Sequence, residues 1–433
     1  MLSKQLGLDE ATSVRTEVLA GLTTFSTMAY IVVVNPQILE ASGMPRGPLL
    51  TATCLSAGFA CLLMGFWARL PIGLAPGMGT NAYFAFVVCG KMGVAWPTAL
   101  GAVFVSGAIF LVLSLTGLRE RLIEAIPDSM KHAIAAGIGG FVAFVGLRGA
   151  GIIVDDPAVL VGLGDLKSPN ALVFGLGLLV TTVLLARGVK AALLLGIVAS
   201  TGLARALGEA PWPAGVVAMP PSMSEIFGAL DVGAALGLGL LDLVLVFVFV
   251  DLFDTIATLI AVGEQGGLME STPRGTRTLK RATQALSTDA VGTMAGAVFG
   301  TSTVTSYVES TSGIAAGGRT GLTAVVVGVC FLVAPFFAPL VAVVPASATA
   351  AALVVVAALM MAALARVDFS DPTEGVPAVL VFLAIPLTFS ISNGLTLGFL
   401  VYPAVKVLAG RGREVSWVMV GLALVFLGKL VWL

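Results

Sequence analysis

Residues 301–321 read TSTVTSYVESTSGIAAGGRTG, a run of small and polar residues around one carboxylate, Glu309. Residues 247–262 read FVFVDLFDTIATLIAV and hold a second carboxylate, Asp254, among apolar residues. A charged side chain at membrane depth costs free energy and usually marks a substrate or ion pathway. These two stretches therefore favour a transport protein over a membrane anchor or a scaffold.

The composition of the chain is that of a membrane protein. Of its 433 residues, 58% are hydrophobic and 11% are charged, and the mean hydropathy is +1.04. Soluble domains carry about 25% charged residues. A membrane-spanning helix needs about 20 apolar residues, and the sequence has about fourteen or fifteen such stretches. The net charge of −1 argues against nucleic acid as a partner.

The apolar stretches divide into two sets of seven. We predict the first set at 17–38, 50–69, 72–90, 95–117, 130–147, 170–187 and 190–207, and the second at 235–263, 285–300, 308–318, 321–343, 346–365, 374–391 and 393–409. A further stretch, 416–432, either crosses the bilayer or lies along it. Glycine and polar residues interrupt 72–90 and 308–318, which is typical of discontinuous membrane helices.

The two sets resemble each other in sequence. IPDSMKHAIAAGI, from Ile126, matches VPASATAAALVVV, from Val344, and TFSTMAYIV, from Thr24, matches LFDTIATLI, from Leu252. Both matches keep the order of the spans. An odd number of spans in each repeat gives the two repeats opposite orientations in the membrane, as in many secondary transporters. The sequence thus predicts two inverted seven-span repeats.

The positive charges support this topology. If the N-terminus is cytoplasmic, most lysines and arginines fall on cytoplasmic segments, which is the usual bias of membrane proteins. The polar start, MLSKQLGLDEATSVRTE, lacks the apolar core of a cleavable signal. We therefore expect a multi-pass protein of the cell membrane with a cytoplasmic N-terminus.

Residues 71–88, PIGLAPGMGTNAYFAFVV, form the interrupted third span. Its glycines let the backbone approach a ligand closely, and a helix that restarts near Asn81 would point its free N–H groups into the protein. The amide of Asn81 can donate and accept hydrogen bonds, which favours a polar ligand. Tight helix packing through small residues is the alternative.

The carboxylates are the main candidates for binding a substrate or a proton. Glu309 stands where the helix of the tenth span would begin, and its alternatives are a structural cap or a pair with Arg319. Asp251 and Asp254 share roughly one helix face, and an interhelical hydrogen bond is the alternative for each. A carboxylate removed from water takes up a proton readily, so proton coupling is chemically available. Asp289 is interpreted as a group that fixes helix contacts.

Several other functions lack support in the sequence. There is no GxxxxGK[ST] motif for ATP, and the four cysteines have no metal-ligand spacing. An intramembrane enzyme would need a catalytic dyad or a cluster of metal ligands, and the one histidine, His132, is expected at a membrane edge. We therefore predict no enzyme activity, no catalytic residues, no metal and no cofactor.

Five motifs of this sequence resemble the nucleobase/ascorbate (xanthine/uracil permease) superfamily, and most closely its AzgA-like branch of adenine/guanine/hypoxanthine permeases. The motifs are GLTTFSTMAYIVVVNPQIL, APGMGTNAYF, DLFDTIATLI, GTSTVTSYVESTSGIAAGGRTGL and IPDSMKHAIAAGIGGFVAFVGLRGAGI. The resemblance extends from about Thr12 to Leu408 and includes both halves of the chain.

This resemblance implies an all-α, UraA-like membrane fold of about fourteen segments in two inverted seven-span repeats, with short strands in the broken third and tenth spans. It also implies a core domain and a gate domain. The core would comprise 1–122 and 230–343, the gate would comprise 123–210 and 344–410, and an extra apolar segment would occupy 411–433.

The resemblance further implies a binding site. The carboxylates of the family's site correspond to Glu309 and Asp254, which are also the candidates for proton coupling, and its amide corresponds to Asn81. We predict that the substrate-binding residues are Glu309, Asp254, Asn81, Thr27, Phe25, Phe84, Ser310 and Thr255. A planar base would stack on an aromatic ring; Phe25, Tyr83, Phe84 and Phe253 are all candidates, with packing as the alternative role of each.

The implied function is import of a purine nucleobase, such as adenine, guanine or hypoxanthine, by movement of the core against the gate. The donors and acceptors along the edge of a purine suit a carboxylate and an amide. We expect H⁺ rather than Na⁺ as the coupling ion and membrane lipid as the surroundings. A uracil/xanthine-type carrier and an anion exchanger of the same fold are the alternatives, and the preferred purine and a homodimer remain open.

Overall fold

In a computed structural model, the helices follow the predicted apolar stretches. The structure describes residues 12–116, 126–237, 241–271 and 277–432. The helices of the first half are α1 (Val14–Met28), α2 (Ile31–Glu40), α3 (Arg46–Leu63), α4 (Met78–Ala82), α5 (Trp96–Thr116), α6 (Asp128–Gly149), α7 (Pro169–Ala186) and α8 (Ala192–Ala206). Wider π-helical turns continue α3 at Met64–Ala68 and α4 at Tyr83–Lys91.

The remaining described helices belong to the second half. Its helices are α9 (Val232–Ala235), α10 (Leu241–Gly266), α11 (Ala282–Phe299), α12 (Ser310–Ala315), α13 (Gly321–Val333), α14 (Ala338–Ala342), α15 (Ala346–Met361), α16 (Pro372–Leu387), α17 (Ile391–Leu408) and α18 (Trp417–Trp432). Antiparallel strand pairs join β1 (Leu74–Pro76) to β6 (Val304–Ser306), β2 (Ile153–Asp156) to β3 (Leu160–Leu163), and β4 (Met269–Ser271) to β5 (Arg277–Leu279).

The predicted fold class is confirmed. Within the described residues, eight helical stretches are long and apolar enough to cross a bilayer, and shorter apolar helices accompany them. The third and tenth spans are broken, and in each a three-residue strand precedes a short helix, β1 before α4 and β6 before α12. The same order of elements in both halves agrees with an internal repeat.

Strands β1 and β6 form the backbone junction between the two halves of the chain. In register, Leu74 pairs with Ser306 and Pro76 with Val304. The β-branched residues of TSTVTS favour an extended chain. Gly77 must remain small at this junction, because a Cβ atom there would lie 2.7 Å from Thr80 Oγ1.

A buried carboxylate fastens α1 to the start of α13. The side chain of Glu17 accepts hydrogen bonds from the backbone N–H of Arg319 (2.9 Å) and from the hydroxyl of Thr323 (2.6 Å). Negative charge is favourable at a helix N-terminus, where N–H groups lack partners within the helix. Glu17 therefore stabilises the first turn of α13, a role that its place in the polar N-terminal sequence did not suggest.

The chain divides into two compact units. Of the described residues, one unit contains those of 12–112 together with those of 147–352, and the other contains those of 113–146 together with those of 353–432. These bounds differ from those of the predicted core and gate, since α7 and α8 belong to the first unit. The division into core and gate stays a prediction.

The second unit contains a cluster of charged side chains, formed by Asp371, Glu374, Lys406, Arg411 and Glu414. Lys406 is 0% exposed, and its Nζ lies 2.7 Å from Glu374 Oε1 and 2.8 Å from Glu414 Oε2. Hydrogen bonds from Arg411 hold the pKa of Asp371 well below its usual range. Hydrogen bonds from Arg411 and then Lys406 lower the pKa of Glu414 to about 2. The cluster joins the start of α16 to the end of α17.

We expect Lys406→Met to lower the melting midpoint of the detergent-purified protein by about 3–6 °C, because removing one partner of a buried ion pair leaves the other charges uncompensated. Arg413→Gln is the matched control, since it removes an exposed cation from the neighbouring turn. Differential scanning fluorimetry of both variants measures the effect. Equal midpoints for Lys406→Met and the wild type would show that the cluster does not stabilise this unit.

Candidate functional site

The two broken spans meet at the β1–β6 pair, and a helix leaves each end of it. The pairing continues beyond the strands, because Gly77 N–H donates to the Thr303 carbonyl (2.9 Å) and Tyr307 N–H donates to that of Gly73 (3.0 Å). Since the strands are antiparallel, α4 and α12 begin at opposite ends of the pair. The junction thus has two ends with different side chains.

Glu309 lies at the end of the junction where α12 begins. It is the residue directly before the helix, and it is partly exposed. Its Oε1 accepts a hydrogen bond of 2.8 Å from the hydroxyl of Tyr30. Its carbonyl accepts one of 2.6 Å from Ser312, and the hydroxyl of Ser312 is 3.1 Å from that of Thr27. The structure therefore brings predicted site residues Thr27 and Glu309 together.

The alternative of a pair between Glu309 and Arg319 does not match the observed contacts. The guanidinium of Arg319 donates to the carbonyls of Ile314 and Gly318, each at 2.7 Å. Arg319 thus closes the C-terminal end of α12, whereas Glu309 is held at the N-terminal end by groups from the first span.

Asn81 lies at the opposite end of the junction, in a polar network away from solvent. It is 0% exposed, its amide donates to the side-chain oxygen of Asn35, and its own oxygen accepts from the hydroxyl of Ser302. Asn35 in turn donates to Thr53 (2.7 Å) and Thr301 (3.1 Å). In this structure the amide of Asn81 joins the two halves of the chain and does not reach Glu309.

Ser310 and Thr255 also contact the junction. The hydroxyl of Ser310 accepts from Gly73 N–H at 3.0 Å. Thr255, on α10, donates to Asp289 Oδ2 at 2.7 Å and lies 2.9 Å from the hydroxyl of Thr305. Both hydroxyls are fully buried, so they hold the strand pair in place in this structure.

Asp289 forms hydrogen bonds with β6, in agreement with its interpretation as a structural group. Its Oδ1 accepts from the backbone N–H of Ser306 at 2.9 Å. Asp251 is also buried, and the hydroxyl of Thr293 lies 3.5 Å from its Oδ2. The backbone of Asp254 belongs to α10, three residues beyond Asp251. The side chains of Asp254 and Phe253 lie outside the described part of the structure.

The aromatic candidates pack against other rings. Phe25 is partly exposed and meets Phe331 edge-on, with 5.2 Å between ring centroids. Phe84 is fully buried, and its ring centroid lies 6.5 Å from that of Phe247. The ring of Phe247 also meets Tyr83 edge-on, with 5.6 Å between ring centroids. Of these rings, Phe25 and Phe84 remain our predicted substrate contacts.

Sequence reasoning missed two residues that contact predicted site residues. Tyr30 binds the carboxylate of Glu309, and Asn35 binds the amide of Asn81. The sequence could have indicated Asn35, because it is an amide within the apolar run IVVVNPQIL. A polar side chain at membrane depth usually has a functional or structural partner. Tyr30 gives no such signal, because a tyrosine within an apolar run also suits ordinary packing.

Comparison with known proteins identifies the family. Residues 15–397 match a permease family model, that of the xanthine/uracil permeases. The chain belongs to the xanthine/uracil permease family. It is thus a multi-pass membrane permease and not an enzyme, as the sequence motifs predicted.

Members of the xanthine/uracil permease family match nearly the full chain. A permease of Methanocaldococcus jannaschii is 50% identical, with 98% of this chain and 96% of the relative covered. The adenine permease AdeQ of Escherichia coli is 46% identical, with 97% and 94% covered. The guanine/hypoxanthine permease PbuG of Bacillus subtilis is 43% identical, with 96% of each chain covered.

The fold of this family member is shared with more distant transporters. The transmembrane domain of the bicarbonate transporter BicA, from a cyanobacterium, matches with a TM-score of 0.66 at 16% sequence identity, covering 88% of this chain and 97% of that chain. At this identity the likeness concerns the fold.

The position of Glu309 depends on close contact between α12 and α1, which we expect Gly313→Ala to disrupt. A Cβ atom on Gly313 would lie 2.0 Å from Thr24 Oγ1 and 2.7 Å from the Ala20 carbonyl. Overpacking of a tight contact costs about 1–3 kcal/mol, so the melting midpoint should fall. Gly175→Ala in α7 is the control, because among the described residues outside its own helical turns no atom lies within 4 Å of its Cβ position. If both variants melt like the wild type, α12 is not confined against α1 in this way.

Proposed function

We propose that this permease is a secondary-active transporter that imports purine nucleobases such as adenine, guanine or hypoxanthine. The observation that carries the proposal is the partly exposed carboxylate of Glu309 at the junction of the two broken spans, held by Tyr30 at 2.8 Å. The names of relatives at 43–46% identity, which are adenine and guanine/hypoxanthine permeases, support the same substrate class.

In this proposal Glu309 accepts hydrogen bonds from N–H groups along the edge of the base. A carboxylate offers about four lone-pair sites, so the bond from Tyr30 leaves acceptor capacity for a ligand. Thr27 lies beside Glu309, and Phe25 or Phe84 stacks on the ring of the base. Asn81, Ser310 and Thr255 are the further proposed substrate contacts, and the backbone of both broken segments completes the site.

Proton symport and alternating access belong to the same proposal. Asp254 either binds the base with Glu309 or carries the coupling proton, and H⁺ is favoured over Na⁺ because a carboxylate removed from water takes up a proton readily. The core would move against the gate in a cell membrane, with the N-terminus on the cytoplasmic side. An anion exchanger would instead call for a cation near the helix starts, whereas this end of the junction presents Glu309.

Uptake into proteoliposomes tests the substrate class. Radiolabelled adenine, guanine, hypoxanthine, xanthine and uracil are compared, and we expect uptake of at least one of the first three. Glu309→Gln should reduce that uptake at least about 10-fold, because hydrogen bonds to a charged group contribute about 1.5–3 kcal/mol. Glu264→Gln, an exposed acid at the end of α10, is the matched control. Undiminished uptake by a well-expressed Glu309→Gln protein would remove Glu309 from the site.

The role of Asp254 in coupling is tested separately. Uptake is measured with and without an imposed pH gradient, acidic on the side of entry, and exchange is measured with labelled base outside and unlabelled base inside. If Asp254 carries the coupling proton, Asp254→Asn should abolish accumulation driven by the gradient and retain exchange, since exchange needs no net proton movement. Accumulation at the wild-type level in Asp254→Asn would contradict this role.

A further inference from the structure

The first span is interrupted at Tyr30, where it passes the helix start of the tenth span. Helix α1 ends at Met28 and α2 begins at Ile31. The turn between them uses tighter hydrogen bonds, from Val32 N–H to the Ala29 carbonyl (3.2 Å) and from Val33 N–H to that of Tyr30 (3.1 Å). Short stretches of this kind inside a helix often mark functional positions.

The hydroxyl of Tyr30 faces Glu309, the carboxylate that we propose to bind the substrate. Tyr30 is 1% exposed, whereas Glu309 is partly exposed. The bond of 2.8 Å from the Tyr30 hydroxyl to Glu309 Oε1 therefore joins a fixed donor to an accessible acceptor. A hydrogen bond to an ionised group is stronger than one between neutral groups, so this bond limits the rotation of the carboxylate.

The helix that follows Tyr30 is anchored at a second point. Five residues later, Asn35 accepts from Asn81 and donates to Thr301 at 3.1 Å. Helix α2 thus contacts the third span through Asn81 and the segment before β6 through Thr301. Since both contacts are fully buried, they set the position of α2, and with it the position from which Tyr30 reaches Glu309.

We propose that Tyr30 is a positioning residue, which orients the Glu309 carboxylate for the base and so determines the affinity for substrate. This inference rests on the proposed function. It gives a residue of the first span a part in orienting a site that the two broken spans otherwise form. Because Tyr30 binds Oε1, the orientation of the Glu309 carboxylate is fixed. Its remaining lone pairs can then accept hydrogen bonds from N–H groups of the base.

A merely structural role predicts a different result. A buried tyrosine hydroxyl needs a hydrogen-bond partner, and Glu309 could be no more than the nearest acceptor. Loss of the bond would then reduce the amount or the stability of folded protein, without a change in KM. Separating KM from Vmax distinguishes the two roles.

The chain offers a matched control in Tyr402, whose hydroxyl donates to Glu374 Oε1 at the same distance of 2.8 Å. Tyr402 is likewise buried, at 2% exposure, and contacts the charged cluster of the second unit. Tyr30→Phe and Tyr402→Phe therefore remove the same kind of bond, in the one case from the proposed site and in the other from a structural cluster.

The experiment measures uptake of the purine that the wild type transports best, normalised to folded protein in the vesicles. We expect Tyr30→Phe to raise KM about 10-fold or more, as loss of a hydrogen bond to a charged group predicts, with Vmax within about two-fold of the wild type. Tyr402→Phe should lower the melting midpoint and leave KM unchanged.

A binding measurement keeps the test decisive if Tyr30→Phe transports too slowly. The purine concentration that gives a half-maximal shift of the melting midpoint should also rise about 10-fold. An unchanged KM and an unchanged half-maximal concentration in Tyr30→Phe would overturn the inference, as would an equal rise in both tyrosine variants. Absence of purine uptake by the wild type would instead overturn the proposed function.

Discussion

Backbone N–H and C=O groups at membrane depth must find partners within the protein, because lipid offers none. This constraint explains the junction formed by β1 and β6. Two spans leave the helical conformation at 74–76 and 304–306, and neither segment could do so alone. Each supplies the hydrogen bonds that the other lacks, and Gly73, Gly77, Thr303 and Tyr307 extend the pairing beyond the strands. The two halves of the repeat therefore depend on each other.

The carboxylates around this junction differ in how they are bound. Asp289 accepts from the backbone and the hydroxyl of Ser306 and from Thr255, all within 3.2 Å, so its acceptor sites hold β6. Glu17 likewise accepts hydrogen bonds from a backbone N–H and a hydroxyl, at the start of α13. Glu309 is partly exposed, and Tyr30 reaches it through one oxygen. The acids that accept several hydrogen bonds, Asp289 and Glu17, act as structural groups, whereas substrate binding by the partly exposed Glu309 is our proposal.

The sequence predicted the spans, the two broken segments and the polar groups within them, because each is a local departure from apolar composition. It could not predict how these groups pair. We predict that Asn81 and Glu309 serve one site, and the structure places them at opposite ends of the junction, because antiparallel strands separate the two helix starts. The contacts of Tyr30 and Asn35 join residues 279 and 46 positions apart, and no local pattern encodes such distances.

The separation of Asn81 from Glu309 also bears on the symmetry of the repeat. The backbone plan is the same in both halves, with a strand followed by a short helix, but the side chains at the two helix starts differ. At the end that holds Asn81, buried amide and hydroxyl groups form hydrogen bonds with each other. The other end presents the partly exposed carboxyl group of Glu309, which accepts a hydrogen bond from Tyr30. A buried polar network stabilises when all its groups are paired, whereas a ligand needs a group with spare capacity. Under the proposed function, an inverted repeat uses one helix start to hold the halves together and the other to bind the base.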